Sequence, residues 1–261
     1  MHKLPAKSGW LWIKQGFSLF RKKPAEISTL FLTYMFLMLA LGIVPVIGQL
    51  LPLILVPVFT IAFMQACVYI EKDQRVYPSL LLAGFRTPQF KSLLVLGVLY
   101  LLAALVAIGA SALIDDGVLW QTMVSHGDVD PTDLQQSSMT LAMLFAAVVY
   151  IPAAMAFWFA APLMVWQDMP LAKALFYSFF AVVGAGRAFI LYAIGWLALG
   201  VMMPALISTI VALVIGSISI TVFILLPLSV LLTVVMYCSF YPTYVEIFGK
   251  PVIATPVSTP K

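Results

Sequence analysis

Apolar residues along this chain fall into long blocks separated by short polar stretches, and the block lengths set the expected elements. A bilayer core about 30 Å thick is crossed by roughly 20 apolar residues in helical form. Blocks near residues 27 to 48, 50 to 70, 92 to 114, 139 to 166, 188 to 214 and 218 to 243 meet that length. The fourth is long enough to tilt or to project from the bilayer. The expected fold class is therefore all-α, a polytopic membrane protein with six transmembrane helices in three hairpins.

A second pattern precedes each hairpin. Trp10, Ile13, Phe17 and Phe20 share one helical face while Lys14, Ser18, Arg21 and Lys22 share another, as suits a helix lying among lipid headgroups. Leu81, Leu82 and Phe85 give a shorter version before the third span, and Leu175, Phe176, Phe179 and Phe180 give one before the fifth. Cytoplasmic extensions of the spans, packed on one another, are the alternative reading of these segments. The chain is expected to be one integral membrane domain. It divides into an amphipathic N-terminal segment (1 to 26), a six-helix bundle (27 to 243) holding an acidic loop (115 to 138), and a tail (244 to 261).

Composition strengthens this picture. Apolar residues make up 63% of the chain and charged residues 9%, and the mean hydropathy is +1.09. Soluble domains carry about a quarter charged residues, so membrane is the expected solvent. No cleaved signal peptide is expected, because the first apolar run exceeds a short signal core and no small-residue cleavage site follows it.

Charge sets an expected orientation. All 14 Lys and Arg residues fall before the first span, between the second and third, between the fourth and fifth, or after the sixth. Cations are retained on the cytoplasmic side of bacterial inner membranes, so both termini are expected there. Asp115, Asp116, Asp128, Asp130 and Asp133 lie in the loop on the other side. That loop lacks the glycine and terminal glutamate of an EF-hand and reads as solvated surface. Anionic lipid headgroups are the expected partners of the basic face. Nucleic acid is not, since the cations are spread along membrane-flanking segments.

The chain also repeats itself. Leu50-Leu51-Pro52-Leu53 precedes Tyr69-Ile70-Glu71, and Leu225-Leu226-Pro227-Leu228 precedes Tyr244-Val245-Glu246 at the same spacing. Ile151-Pro152-Ala153 before Trp166-Gln167-Asp168 is a looser copy. Each even span thus ends in an aromatic-x-acid triplet. A helix C-terminus disfavours a carboxylate unless a cation answers it, so Glu71, Asp168 and Glu246 are expected to pair with Arg21, Lys22, Arg86 and Arg187. Those pairs would fix each hairpin against its own amphipathic segment; a proton or substrate gate is the functional alternative. Each even span also carries two prolines, Pro52 and Pro57, Pro152 and Pro162, and Pro227 and Pro242, which are expected to kink it.

Little points to chemistry. The central parts of the spans hold no Asp, Glu, Lys, Arg or His, which argues against a proton-coupled carrier. Thr60, Gln65, Thr140, Ser208, Thr209 and Thr221 are expected to bond between helices. Small residues at helical spacing, Ala103, Ala107 and Ser111, then Ala153, Ala156 and Ala160, should allow close backbone approach. His2 and His126 lie outside the spans, and Cys67 and Cys238 read as reduced packing residues, so no metal or other cofactor is expected. Nucleophile elbows and phosphate-cradling glycine loops are missing; Gly184-Ala185-Gly186 reads as a hinge.

The stretch Ala161-Pro162-Leu163-Met164-Val165-Trp166-Gln167-Asp168, continuing through Met169-Pro170-Leu171-Ala172-Lys173 to Ala174-Leu175-Phe176-Tyr177-Ser178, resembles a pattern in bacterial multipass families. These are the YciC-like inner-membrane proteins and the membrane domain fused to some glycerophosphodiester phosphodiesterases. There a proline-containing span ends in an acidic turn followed by an Ala-Leu-x-x-Ser amphipathic helix. The resemblance implies a six-helix inner-membrane protein with an envelope role and transfers no catalytic residue. The leading expectation is a non-enzymatic envelope protein, a scaffold or a lipid- or membrane-homeostasis factor. A carrier or channel for a small uncharged or amphiphilic substrate is the alternative, and an intramembrane lipid-modifying enzyme the third.

Overall fold

The computed structural model describes residues 4–44, 47–120, 138–216 and 218–251. Among them every long regular element is a helix. Helix α1 spans Lys7–Lys22 and α2 Pro24–Gly42; α3 spans Ile47–Glu71 and α4 Phe90–Asp115. Then come α5 (Met139–Phe157), α6 (Ala160–Trp166), α7 (Leu171–Gly184), α8 (Gly186–Leu197), α9 (Met203–Ile215) and α10 (Ile218–Phe248). Two 3-10 turns, Pro78–Leu82 and Gly84–Arg86, lie between α3 and α4. Six of these stretches are long and apolar enough to cross a membrane: Pro24–Gly42, Leu50–Glu71, Phe90–Asp115, Met139–Trp166, Gly186–Val214 and Ser219–Phe248. The protein is an all-α, multipass membrane protein. The second span is the one most enclosed by protein, and its Val58, Phe59, Ala62, Phe63, Met64 and Cys67 form the middle of the core.

Two spans are interrupted, each for a reason found in the backbone. In the fourth, α5 gives way to α6 at Trp158 and Phe159, four residues before Pro162, whose ring nitrogen cannot donate to the Trp158 carbonyl. The buried Ser178 hydroxyl of α7 enters the gap. It donates to the Met155 carbonyl at 2.8 Å and accepts from the Phe159 amide at 2.9 Å, taking the place of the ladder bond those two groups would otherwise share. In the fifth span, Ala198–Met202 is a π-helical turn between α8 and α9. Pro204 follows it and denies the Gly200 carbonyl its usual donor, so the wider turn absorbs the missing bond.

The amphipathic segments are not paired with the hairpins they introduce. Pro78–Arg86 lies on α2 and α3, the hairpin before it, and α7 lies on α5 and α6, again the preceding hairpin. Helix α1 lies on α8 and α10 of the third hairpin. The three units therefore close into a ring, each capped by the next. Small residues permit the contacts: a Cβ on Gly9 would meet the Ala188 carbonyl oxygen at 2.1 Å, one on Gly16 the Ser239 Cβ at 2.6 Å, and one on Gly84 the Val58 carbonyl oxygen at 2.3 Å.

This packing corrects the expected faces of α1. The buried stripe is Ser8, Gly9, Trp12, Ile13, Gly16 and Leu19, whereas Trp10 is exposed beneath the Lys14 ammonium. The glycines draw the helix in so far that Trp12 becomes its anchor, with ring centroids 5.2 Å from Phe189 and 5.8 Å from Tyr192. The acidic loop is described only at its start. There Asp115 is buried, and its carboxylate accepts from the Gly117 and Leu119 amides at 3.1 and 2.7 Å, capping the turn that ends α4. Asp128, Asp130 and Asp133 lie outside the described residues, as do His2 and His126.

Candidate functional site

The second to sixth spans meet around a chamber of about 380 Å³. Its wall holds Tyr100 from α4, Tyr150 from α5, Tyr192 from α8 and Tyr237 from α10, with Thr60 and Trp158 completing the polar positions. Thr60 precedes Glu71 by eleven residues and Tyr237 precedes Glu246 by nine, so the chamber lies about 14 to 17 Å of helix rise below the face that bears those carboxylates. That is the inner part of the half-bilayer on that side.

Most of the wall is already hydrogen-bonded. The Tyr100 hydroxyl donates to the Phe157 carbonyl at 3.2 Å, and the Tyr192 and Ser239 hydroxyls are 2.7 Å apart. Thr60 donates back to the Val56 carbonyl of its own helix at 2.8 Å, and Thr209 does the same to Ala205 at 2.9 Å. For these two threonines the expected bonds between helices are replaced by local ones, because a helical Thr reaches its own preceding turn without any neighbour. Two donors in the wall are unused. The Trp158 indole Nε1 is buried with no acceptor, and the Tyr150 hydroxyl makes no hydrogen bond among the described residues. An unanswered buried donor costs about 1 to 3 kcal/mol.

A second cavity of about 570 Å³ adjoins the first and shares Ala154, Trp158, Tyr192 and Met236 with it. It lies between α5 and α8, and its rim residues Ile151 and Ile190 are 51% and 63% exposed on the lipid-facing side. Tyrosine hydroxyls are absent there except at Tyr192; Met155, Val182, Phe189 and Trp196 make an apolar cleft. Cleft and chamber are neighbours with a common wall, the cleft apolar and the chamber hydroxyl-bearing. Residue spacing carries no hint of this wall, because the tyrosines come from four different helices. The two prolines of the fourth span were the nearest signal, since the chamber follows the break they surround.

The residues singled out by the aromatic-x-acid repeat sit on the charged face. They find partners other than the expected arginines. Glu246 accepts from the Ser8 hydroxyl at 2.7 Å and from the Trp12 indole at 2.5 Å, which ties α10 to α1 through neutral donors. Glu71 accepts from the Tyr241 hydroxyl at 2.7 Å and pairs with Lys250 at 2.6 Å. Asp168 accepts from the Gln89 side-chain amide, and it stands past the helix end with φ 49°. Asp73 (φ 57°) and Gly249 (φ 85°) take the same left-handed turn after Glu71 and Glu246, so all three even spans stop alike. Arg21, Arg86 and Arg187 form no salt bridge among the described residues; the ion pairs there are Lys23 with Asp73 and Lys250 with Glu71. The arginines are exposed, where water solvates a guanidinium well, whereas Glu71 and Glu246 stand beside hydroxyl and indole donors on the packed helices.

The prolines are accommodated. Pro52 and Pro57 lie within α3, Pro152 within α5, Pro162 within α6, and Pro227 and Pro242 within α10. Pro242 frees the Cys238 carbonyl, and the buried Cys67 thiol lies 4.0 Å from it. Among the described residues no group of His, Cys, Asp and Glu has the arrangement of a metal site.

No protein-family model matches the chain, and no solved structure does. Among curated proteins, a probable inner membrane protein of Burkholderia thailandensis is 38% identical over 253 residues, an alignment that covers 94% of this chain and 92% of the relative. Likeness along nearly the whole of both chains takes in all six spans, and the chain belongs to the family of that inner membrane protein.

Proposed function

We propose that this protein is a non-enzymatic membrane-homeostasis factor that takes an amphiphile from the bilayer into the tyrosine-lined chamber. The observation that carries the reading is the wall that the apolar cleft and the chamber share at Ala154, Trp158, Tyr192 and Met236. An acyl or prenyl chain suits the cleft. A group with acceptor oxygens, such as an ester or a ketone, suits the unused Trp158 and Tyr150 donors, because an indole N–H can only donate. Both termini lie in the cytoplasm in this reading, supported by the placement of every Lys and Arg on one face. Anionic headgroups gather on that face. Kinship with the YciC-like proteins belongs to the same proposal, and the Ala-Leu-x-x-Ser helix supports it by supplying the Ser178 that fills the helix break.

The test is the lipid that stays with the purified protein. Mass spectrometry of the detergent-purified chain should show one lipid class enriched over the host membrane. Ala154→Trp, which fills the junction of cleft and chamber, should abolish the enrichment while leaving the protein folded. Lipid matching the bulk membrane in both proteins would sink the proposal. A carrier for an amphiphilic substrate is the second reading, favoured by the same pair of adjoining cavities. Movement of a fluorescent phospholipid analogue between leaflets of proteoliposomes, faster than in protein-free vesicles and blocked by Ala154→Trp, would favour it over a binding role.

A further inference from the structure

The connection between α3 and α4 holds a separate cavity of about 280 Å³ on the basic face, apart from the chamber. Arg75 and Arg86 enter its wall from opposite ends of the connection, and Tyr69, Tyr77 and Ser79 add hydroxyls. No carboxylate lines it. The nearby acids are already engaged: Glu26 accepts from the Val76 amide at 2.6 Å, Asp73 pairs with Lys23 at 3.3 Å, and Glu71 is held by Tyr241 and Lys250. Neither guanidinium forms a salt bridge among the described residues, and none of the three hydroxyls makes a hydrogen bond among them.

The wall is pinned rather than loose. The Lys23 ammonium donates to the Asp73 and Gln74 carbonyls at 3.0 Å each, Val76 and Leu81 are buried, and Gly84 rests directly on the α3 backbone at Val58. Two guanidiniums, which can only donate, and three hydroxyls, which can donate as well as accept, thus line one cavity with no carboxylate among them. Guanidinium forks match phosphate oxygens in pairs, and two of them balance the charge of a phosphomonoester. Lys72 and Lys91 flank the connection and raise the local positive potential.

We infer that Arg75 and Arg86, with Tyr69, Tyr77 and Ser79, form a binding site for a phosphomonoester. Its source is either the headgroup of a phospholipid or free phosphate from solution, and the chemistry is the same. The full chain in neutral detergent is tested against phosphatidic acid, against phosphatidylcholine and against inorganic phosphate. Phosphatidic acid should bind about tenfold more tightly than phosphatidylcholine. Arg75→Gln with Arg86→Gln should erase that preference with the melting temperature unchanged, because both side chains are exposed. Arg75→Lys with Arg86→Lys, which keeps the charge and removes the fork, should retain only part of it. Lys173→Gln with Arg187→Gln, which removes as much charge from the same face, should change it by less than about twofold. Displacement of the lipid by millimolar inorganic phosphate assigns the site to either source, and failure to displace assigns it to the lipid headgroup. Equal losses in the two glutamine pairs, or no preference for phosphatidic acid in the unaltered protein, would overturn the assignment.

Discussion

The Ser178 hydroxyl stands between the Met155 carbonyl and the Phe159 amide, and it closes from a neighbouring helix a bond that the fourth span cannot close for itself. Ser178→Ala leaves a buried amide and a buried carbonyl facing each other across the gap. We expect a loss of about 1 to 3 kcal/mol. A detergent-solubilised variant with an unchanged unfolding midpoint would show that the break closes on its own.

The glycines of α1 make a sharper case. At Gly9 even an alanine Cβ would lie 2.1 Å from the Ala188 carbonyl oxygen, an atom of a helix backbone that cannot swing aside. Gly9→Ala should therefore lift α1 from α8 and expose Lys7 and Lys14 to protease. Gly109→Ala in α4 meets nothing within 4 Å and should be neutral or mildly stabilising. If both variants resist limited proteolysis as the parent does, α1 is not seated as described.

For the charged face the expectation separates carboxylates from arginines. Glu246→Gln keeps one acceptor oxygen where two donors, Ser8 and Trp12, need one each. Its cost should be about 1 to 2 kcal/mol. Arg21→Gln, Arg86→Gln and Arg187→Gln should each stay within about 0.5 kcal/mol of the parent, since no ion pair is lost. A loss from any of the arginine variants as large as that from Glu246→Gln would restore the ion-pair scheme.

The spans were readable from the sequence because a bilayer demands one length and one composition, and both are local. Residues 139 to 166 are expected for the fourth span and Met139–Trp166 is observed, whereas the first span ends at Gly42 rather than at 48 and the sixth runs on to Phe248 rather than stopping at 243. The positions of Glu71, Asp168 and Glu246 at the ends of even spans were readable for the same reason. Their partners were not. Ser8 meets Glu246 across 238 positions of chain and Tyr241 meets Glu71 across 170, and no periodicity reports such distances. The face of α1 was misjudged because a count of large apolar residues treats glycine as blank, although Gly9 and Gly16 decide how near the helix comes. The π turn before Pro204 has no counterpart in the proline repeat, which marks only the even spans.

The two cysteines offer a check on the core. Both Cys67 and Cys238 are fully buried and free. A membrane-permeant maleimide should label neither in the folded protein and both after denaturation. Rapid labelling of Cys67 under native conditions would mean that α3 and α10 part more readily than their packing allows.

Orientation is open to a direct test. A reporter fused after Pro251 should be active only in its cytoplasmic form, and one inserted in the 121–137 stretch only in its exported form. The reverse pattern would invert the protein in the membrane.

Ring closure also sets a timetable. Helix α1 leaves the ribosome well before its seat on α8 and α10 does. At ordinary synthesis speeds the two are separated by on the order of 10 to 40 seconds. Through that interval the stripe of Trp12 and Ile13 has no protein to cover it, and the headgroup region is the natural waiting place for a helix with Lys14, Arg21 and Lys22 on its other side. We expect Lys14, Arg21 and Lys22 to hold α1 at the membrane surface until the third hairpin arrives.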